Sequence, residues 1–281
     1  MEIEKLVTEA VNGSKTALES IAAAIQDNIY HLSLRMLADP DDAKDATQDI
    51  LIKVITKLSS FRFDSKFNTW VYRIAANHLI SEKKITNKDP GLTFDLYKMD
   101  LEQDLQHPTG LQDNPDYQVL LNELRISCTM GMLLCLNPAH RMAYILGDIL
   151  ELDHEEASSA LAISKENFRK QLSRARIKVV QFTHQSCGLV SSQSKCHCDK
   201  KLTGAIERKR VTPNQCHLAA KSKSSYIEVK NILEQTQHEL KTLTLQKSVT
   251  AYHCPDELGQ IIESLVEQKF KLPSSIEIRH I

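Results

Sequence analysis

Apolar side chains recur every three or four residues along most of this chain, and runs that alternate apolar with polar residues are few. Eight glycines and eight prolines in 281 residues are too few to punctuate a set of short strands. The expected fold class is all-α. Residues 2–37 read as two or three helices broken at Asn12-Gly13-Ser14. The next helix starts at the turn "ADPDD", where Pro40 and aspartates suit the positive end of a helix dipole, and runs to about Ser59. Its Ile50, Leu51, Val54, Ile55 and Leu58 keep helical spacing and face a core. Asp42, Asp45 and Asp49, with Gln48 beside them, share another side, which by itself reads as a solvated acidic face.

A hydrophobic fraction of 42% is enough for real cores, and the length allows two or three small domains. Residues 85–116, with "TNKDPG", "HPTG" and "DNPD", keep no period and read as an acidic linker without a core of its own. Helices return at about 116–135 and from Asn137-Pro138, an N-cap followed by proline at the first helical position. Met142, Leu146 and Ile149 are that helix's buried stripe. Net charge is only −1, so the total excludes no partner; its distribution is patterned, acidic through the linker and basic over 165–178. No apolar run approaches the length of a membrane span, and "MEIEKLVTEAV" lacks the pattern of a secretory signal. The expected location is cytoplasmic, with reduced thiols and no membrane partner.

Residues 153–178 read as a helix-turn-helix. Asp153 and Glu156 have capping-box spacing, Ser164 caps the second helix, and Phe168, Leu172, Ala175 and Val179 form its inner face. Lys165, Glu166, Arg169 and Lys170 lie where base edges are read, and Arg174, Arg176 and Lys178 where phosphates are met. The same row also suits a solvated surface helix. Ala162 occupies a turn position that glycine fits at lower cost. "HEEAS" lacks the second histidine of a zinc protease, and no phosphate loop or nucleophile elbow occurs, so no catalytic set is expected.

The stretch "FRFDSKFNTWVYRIAANHLISEKK", residues 61–84, sets three phenylalanines and the sole tryptophan against a polar, partly basic helix. A flipped base needs an apolar pocket, and single strands are held by stacking and cations together. This run resembles domain two of bacterial sigma factors, the promoter-specificity subunits of RNA polymerase, and is nearest to the extracytoplasmic-function group. "LNPAHRMAYILGDILELDHEEASSALAISKENFRKQLSRARIKV" resembles their domain four. The resemblance implies that Asp42, Asp45, Gln48 and Asp49 dock on core RNA polymerase. It implies that Phe61, Phe63, Asp64, Ser65, Lys66 and Phe67 surround an unpaired base of the minus-ten element. Trp70 supports that loop from the core, and Arg73, Asn77, Lys83 and Lys84 meet the DNA backbone. Lys165, Glu166, Arg169, Lys170, Arg174, Arg176 and Lys178 would read the minus-thirty-five element. Glycine is common in the family where Phe63 and Ala162 stand, so a reshaped base pocket is expected and promoter preference does not transfer.

The implied domains are residues 1–88 (domain two), 89–116 (linker), 117–183 (domain four) and 184–281 (a Cys-rich, mostly helical extension of unassigned role). The implied function is promoter recognition and DNA melting with core RNA polymerase, without catalysis; a stand-alone helix-turn-helix regulator is the alternative. Promoter DNA, core polymerase and an anti-sigma factor are the implied partner classes. In the extension, His184, Cys187, Cys196 and Cys198 supply the four N and S ligands that zinc takes, although C-x-C turns alternate residues inward awkwardly; no cofactor beyond that is expected. A redox or zinc sensor with a vestigial DNA domain is a third class. Lys200, Lys201, Arg208, Lys209 and Arg210 form a basic run that reads as solvated. Further helices are expected at about 225–246 and 256–270.

Overall fold

A computed structural model describes residues 2–81, 91–106, 110–249 and 255. Helices account for the regular structure among the described residues, and no strand occurs among them. The first block is α1 (Glu2–Val11), α2 (Lys15–Leu37), α3 (Pro40–Lys57) and α4 (Phe67–Ser81). The break at Asn12-Gly13 ends with Ser14, whose hydroxyl accepts from Ala17 N at 3.2 Å and starts α2. Asp39 caps α3 by accepting from the amides of Asp41 and Asp42 at 3.0 and 2.9 Å. Each cap satisfies donors that the first turn leaves unpaired.

The second block holds α6 (Tyr117–Leu134), α7 (Pro138–Tyr144), α8 (His154–Leu161) and α9 (Lys165–Ser186). Asn137 caps α7, accepting from His140 N at 2.8 Å. Residues Ile145–Ile149 then widen into a π-turn, closed by Leu150 N donating to Ile145 O at 2.8 Å. The expected stripe holds: Met142 and Leu146 are fully buried and Ile149 packs against the same core.

The two blocks do not keep separate cores. One apolar cluster runs from Val7 and Leu18 through Ile50, Phe67 and Leu79 to Met142, Phe168 and Val179. Helix α4 packs on α8, and α2 packs on α6 and α7. The buried guanidinium of Arg141 ties the seam. Its Nη1 donates to Met36 O at 2.7 Å, and its other nitrogens donate to the carbonyls of Leu133, Leu134 and Leu136 at 2.9–3.0 Å. Those carbonyls end α2 and α6, where helices expose acceptors and negative dipole.

The expected coreless linker is instead folded. Helix α5 (Phe94–Glu102) buries Tyr97 and Leu101, and Phe94 and Tyr97 meet Phe182 of α9 at 5.0 and 5.6 Å between ring centroids. Tyr97 Oη donates to Cys128 O at 3.2 Å, and a β-carbon at Gly131 would lie 2.7 Å from that oxygen. Glycine at 131 is thus what lets the linker helix seat on α6. One turn of ring and aliphatic groups, Phe94, Tyr97 and Leu101, supplies the core that a scan for long periodicity passes over.

The expected solvated basic run is also structural. It belongs to α10 (Cys198–Glu207) and the turn after it. Lys201 is 3% exposed and donates to Asp100 O and Gln103 O at 2.5 and 2.9 Å. Arg210 grips the Asp100 carboxylate, and Arg208 pairs with Asp100 and Asp104. Burial pushes the Asp100 carboxyl up, but Arg210, Lys201 and Arg208 outweigh it and hold it below its ordinary value. Charge opposite in sign and distant in sequence therefore closes the linker onto the extension. The rest of the extension is α11 (His217–Ala220), α12 (Tyr226–Gln235) and α13 (Lys241–Lys247), so the long helix expected over 225–246 is broken near Thr236. The helix expected at 256–270 lies outside the described residues. No helix among the described residues is long and apolar enough to cross a membrane.

Replacing Arg141 with methionine keeps the apolar stem and removes the donors to the Met36, Leu133, Leu134 and Leu136 carbonyls. Arg141→Met is expected to lower unfolding free energy by about 3 kcal/mol or more, read as a shift of the urea midpoint with unchanged slope.

Candidate DNA and polymerase interface

On α3 the sequence stripe and the fold agree. Ala43, Ala46, Thr47, Ile50, Leu51 and Val54 are buried, which turns Asp45 and Asp49 outward and leaves Asp42 and Gln48 half-buried at the edge. Asp49 comes within 3.9 Å of the buried His78 ring of α4, beside Lys53. The result is an acidic ledge on a rigid helix.

The turn between α3 and α4 carries the rings. Phe61 lies 4.7 Å from Phe63, 5.4 Å from Phe67 and 5.5 Å from Trp70, and Phe67 and Trp70 stack at 5.8 Å. Their exposures differ sharply. Phe67 is fully buried and Phe61 is 7% exposed, whereas Phe63 is 52% exposed. Phe61 and Phe67, expected in the loop around a base, are therefore its floor; burial against Trp70 and α4 outcompetes exposure. Phe63, Asp64, Ser65 and Lys66 form the accessible rim. Trp70 is half-buried and supports the loop, as expected. Phe63 adopts φ +60°, a left-handed conformation that glycine takes at less cost. Arg73 and Asn77 follow one turn apart on the exposed side of α4. Lys83 and Lys84 lie outside the described residues.

In the second block, α8 ends in a Schellman turn: Ile163 N donates to Ser158 O at 3.1 Å and Ala162 N to Ser159 O at 3.2 Å, with Ala162 at φ +53°. Ser164 then caps α9 through Asn167 N at 3.2 Å. Phe168, Leu172, Ala175 and Val179 are buried, so Lys165, Glu166, Arg169, Lys170, Arg174 and Lys178 point outward. Lys165 pairs with Glu155 at 2.8 Å, Lys170 with Glu166 at 2.6 Å, and Arg169 donates to His154 Nδ1 at 3.2 Å. Such exposed pairs are weak and leave the side chains available to DNA. Arg176 is different. It forms a bidentate pair with Asp148, itself only 7% exposed, at 2.9 and 2.5 Å. Removing Arg176 would strand a buried carboxylate, so its first duty is to the fold rather than to phosphate. Asp148 is the one acidic residue in the otherwise apolar "YILGDIL", a signal that sequence reading passed over.

The four sequence-proposed zinc ligands are not assembled. Among the described residues no group of three or more His, Cys, Asp or Glu side chains is placed to hold a metal ion. His184 instead faces the His238 ring at 4.2 Å. Cys187 and Cys196 pack with Cys128 around Tyr97 and Phe182, and Cys198 packs with Cys128 around Leu121 and Leu202. Burial pushes the Cys128 thiol up to about 11 and raises Cys187, Cys196 and Cys198 as well. These groups stay protonated at neutral pH and serve as small apolar side chains.

The site thus comprises an acidic ledge, a ring-floored loop before a polar helix, and a basic helix-turn-helix. Residues 21–86 match the family described as Sigma-70 region 2. The chain is 28% identical over 177 residues to the ECF RNA polymerase sigma factor SigW of Bacillus subtilis (strain 168), spanning 63% of this chain and 94% of the relative. It is 27% identical over 177 residues to the ECF RNA polymerase sigma-E factor of Escherichia coli (strain K12), spanning 61% and 88%. Among solved structures, CnrH in complex with the cytosolic domain of CnrY aligns over 62% of this chain and 91% of that one, at 20% identity and a TM-score of 0.43, too loose a superposition to support more. The chain is thus similar to extracytoplasmic-function sigma factors over its first two thirds, with residues 21–86 matching Sigma-70 region 2. Each of the two relatives leaves more than a third of it unmatched.

Two outcomes test this site. Ala162→Gly relieves the left-handed turn and should stabilise the protein by about 0.5–1 kcal/mol, whereas Ala160→Gly, inside α8, should destabilise it by about 1 kcal/mol; thermal unfolding distinguishes the two. Iodoacetamide at neutral pH should leave Cys128, Cys187, Cys196 and Cys198 unmodified until the protein is unfolded, as located by peptide mass spectrometry.

Proposed function

We propose that this sigma factor binds core RNA polymerase through the ledge of α3, reads two promoter elements, and helps open the duplex by holding an unpaired base over the Phe61–Phe67 floor. The carrying observation is the exposed rim Phe63–Lys66, set on buried rings directly before α4 and in the same chain as a basic helix-turn-helix. Asp42, Asp45, Gln48 and Asp49 offer acceptors to a basic polymerase surface. Phe63 supplies a stacking face, and Lys66, Arg73 and Asn77 supply donors to a strand backbone. Lys165, Glu166, Arg169 and Lys170 face base edges, and Arg174 and Lys178 face phosphates.

The division of labour is residues 1–88 for polymerase and the minus-ten element and 117–183 for the minus-thirty-five element. The linker of 89–116 and the extension of 184–281 hold the two in place. The protein acts in the cytoplasm and carries out no bond-making step itself; polymerase supplies the chemistry. Affinity for either element alone is modest, and specificity comes from engaging both at fixed spacing.

The test is reconstitution with core enzyme on a library of random promoters, followed by permanganate probing. Thymines near the start site should become reactive only when both proteins are present; templates that stay shut refute the reading, and a tight duplex shift without polymerase favours a stand-alone regulator. Arg169→Ala should weaken recognition of the upstream element by about 1–3 kcal/mol while sparing polymerase binding. Asp45→Arg with Asp49→Arg should abolish polymerase binding and leave the fold intact, as judged by pull-down and circular dichroism.

A further inference from the structure

In this structure the two DNA-facing blocks are turned against each other. Arg73, a proposed backbone contact, spends its guanidinium on α8: Nε and Nη2 donate to Ser159 O at 3.0 and 2.7 Å, and Nη2 also reaches Ser159 Oγ at 3.2 Å. Lys66, from the rim of the ring-floored loop, pairs with Glu156 of the same helix. Asp153 caps α8 as expected, through the amides of Glu155 and Glu156 at 2.8 Å each, while the Glu156 side chain, expected to complete a capping box, meets Lys66. Helix α8 thus engages two of the side chains on which a single strand would lie, Lys66 and Arg73, and the same donors cannot serve α8 and phosphates together.

What holds the blocks in this pose comes from the extension. Helix α13 and the two residues after it, 241–249, touch both blocks. Arg35 of α2 is 1% exposed, and its Nη2 donates to Gln246 O and Val249 O at 2.9 and 2.5 Å. The neighbouring His31 accepts from Arg35 Nε at 3.0 Å; burial, with the Arg35 charge, pushes that imidazole down to about 3, so it stays a neutral acceptor. Val249 is buried among Tyr30, Leu34 and Ala43 of the first block and Ile126 and Met130 of α6. From the second block, Arg125 donates to Ser248 Oγ at 2.7 Å, Thr129 O accepts from Gln246 Nε2 at 3.3 Å, and Glu151 pairs with Lys247. A segment of nine residues therefore bridges α2, α6 and the π-turn.

We propose that residues 241–249 are an intramolecular clasp that holds this sigma factor closed, with Lys66 and Arg73 of its minus-ten-binding face engaged by its own helix-turn-helix until the clasp is released. The proposal rests on the sigma-factor reading for what is masked, but not for the clasp itself. Each anchoring contact that is lost shifts the closed–open balance toward the open form, in which Lys66 and Arg73 are released.

The test uses the full chain. Val249→Asp places a carboxylate in the apolar socket. Lys247→Glu sets two like charges together at the surface, and adding Glu151→Lys swaps the pair and should reclose it. Small-angle X-ray scattering should give a larger radius of gyration for both single variants, with helix content unchanged by circular dichroism. The charge swap should return the radius to the wild-type value. With core polymerase at limiting sigma concentration, Val249→Asp should yield on the order of tenfold more permanganate-reactive promoter, and Lys247→Glu a smaller gain. Should Val249→Asp lose its helical signal, Lys247→Glu and its swap decide the matter. Folded variants that keep the wild-type radius and open no more promoter overturn the clasp. Variants that expand while no template opens with any of them leave the clasp standing and refute the sigma-factor reading.

Discussion

The guanidinium of Arg141 is the point on which the rest of the structure turns. Helices α2 and α6 both end at the seam between the blocks, and each end presents carbonyls to the Arg141 guanidinium. A planar group with five donors answers several of them at once. An ammonium cannot, because its donors diverge from one point. With those ends fixed, Leu133, Leu136 and Met142 close against Met36 and Ile29, and a single apolar core crosses what the sequence presents as two domains. The acidic ledge, the ring-floored loop and the basic α9 are all carried on helices whose inner faces meet in that core.

Local features were legible in the sequence because they are set by neighbours in the chain. Asn137, Asp153 and Ser164 cap the helices they were expected to cap, and the inner face of α9 is buried residue for residue. The stretch 61–84 was legible as a unit, but not which of its rings face in. Phe61, Phe63 and Phe67 have the same chemistry, and only the position of α4 separates floor from rim. The pairs Arg176–Asp148, Lys201–Asp100 and Arg73–Ser159 join residues 28 to 101 positions apart. No periodicity encodes them. A lone Asp148 in an apolar run and a basic run downstream of an acidic linker were the available hints.

The linker and the extension explain each other. An acidic segment with one short apolar turn has little to gain by folding alone, and the extension's cations outnumber the acids beside them, Asp199 and Glu207. Together they form α5 seated on α6, with Asp100 among Lys201, Arg208 and Arg210. The cysteines lie in the same place and fill it as small, soft, protonated side chains. Packed against the Tyr97 and Phe182 rings, they belong to no group placed to hold a metal ion among the described residues.

Gly131 gives this packing a wider reach than its size suggests. A β-carbon there would meet the Tyr97 phenol, which would have to give way together with its bond to Cys128 O. The docking of an entire linker helix is thus inherited from the closeness of one backbone, and one added carbon would loosen a seat made of far larger groups.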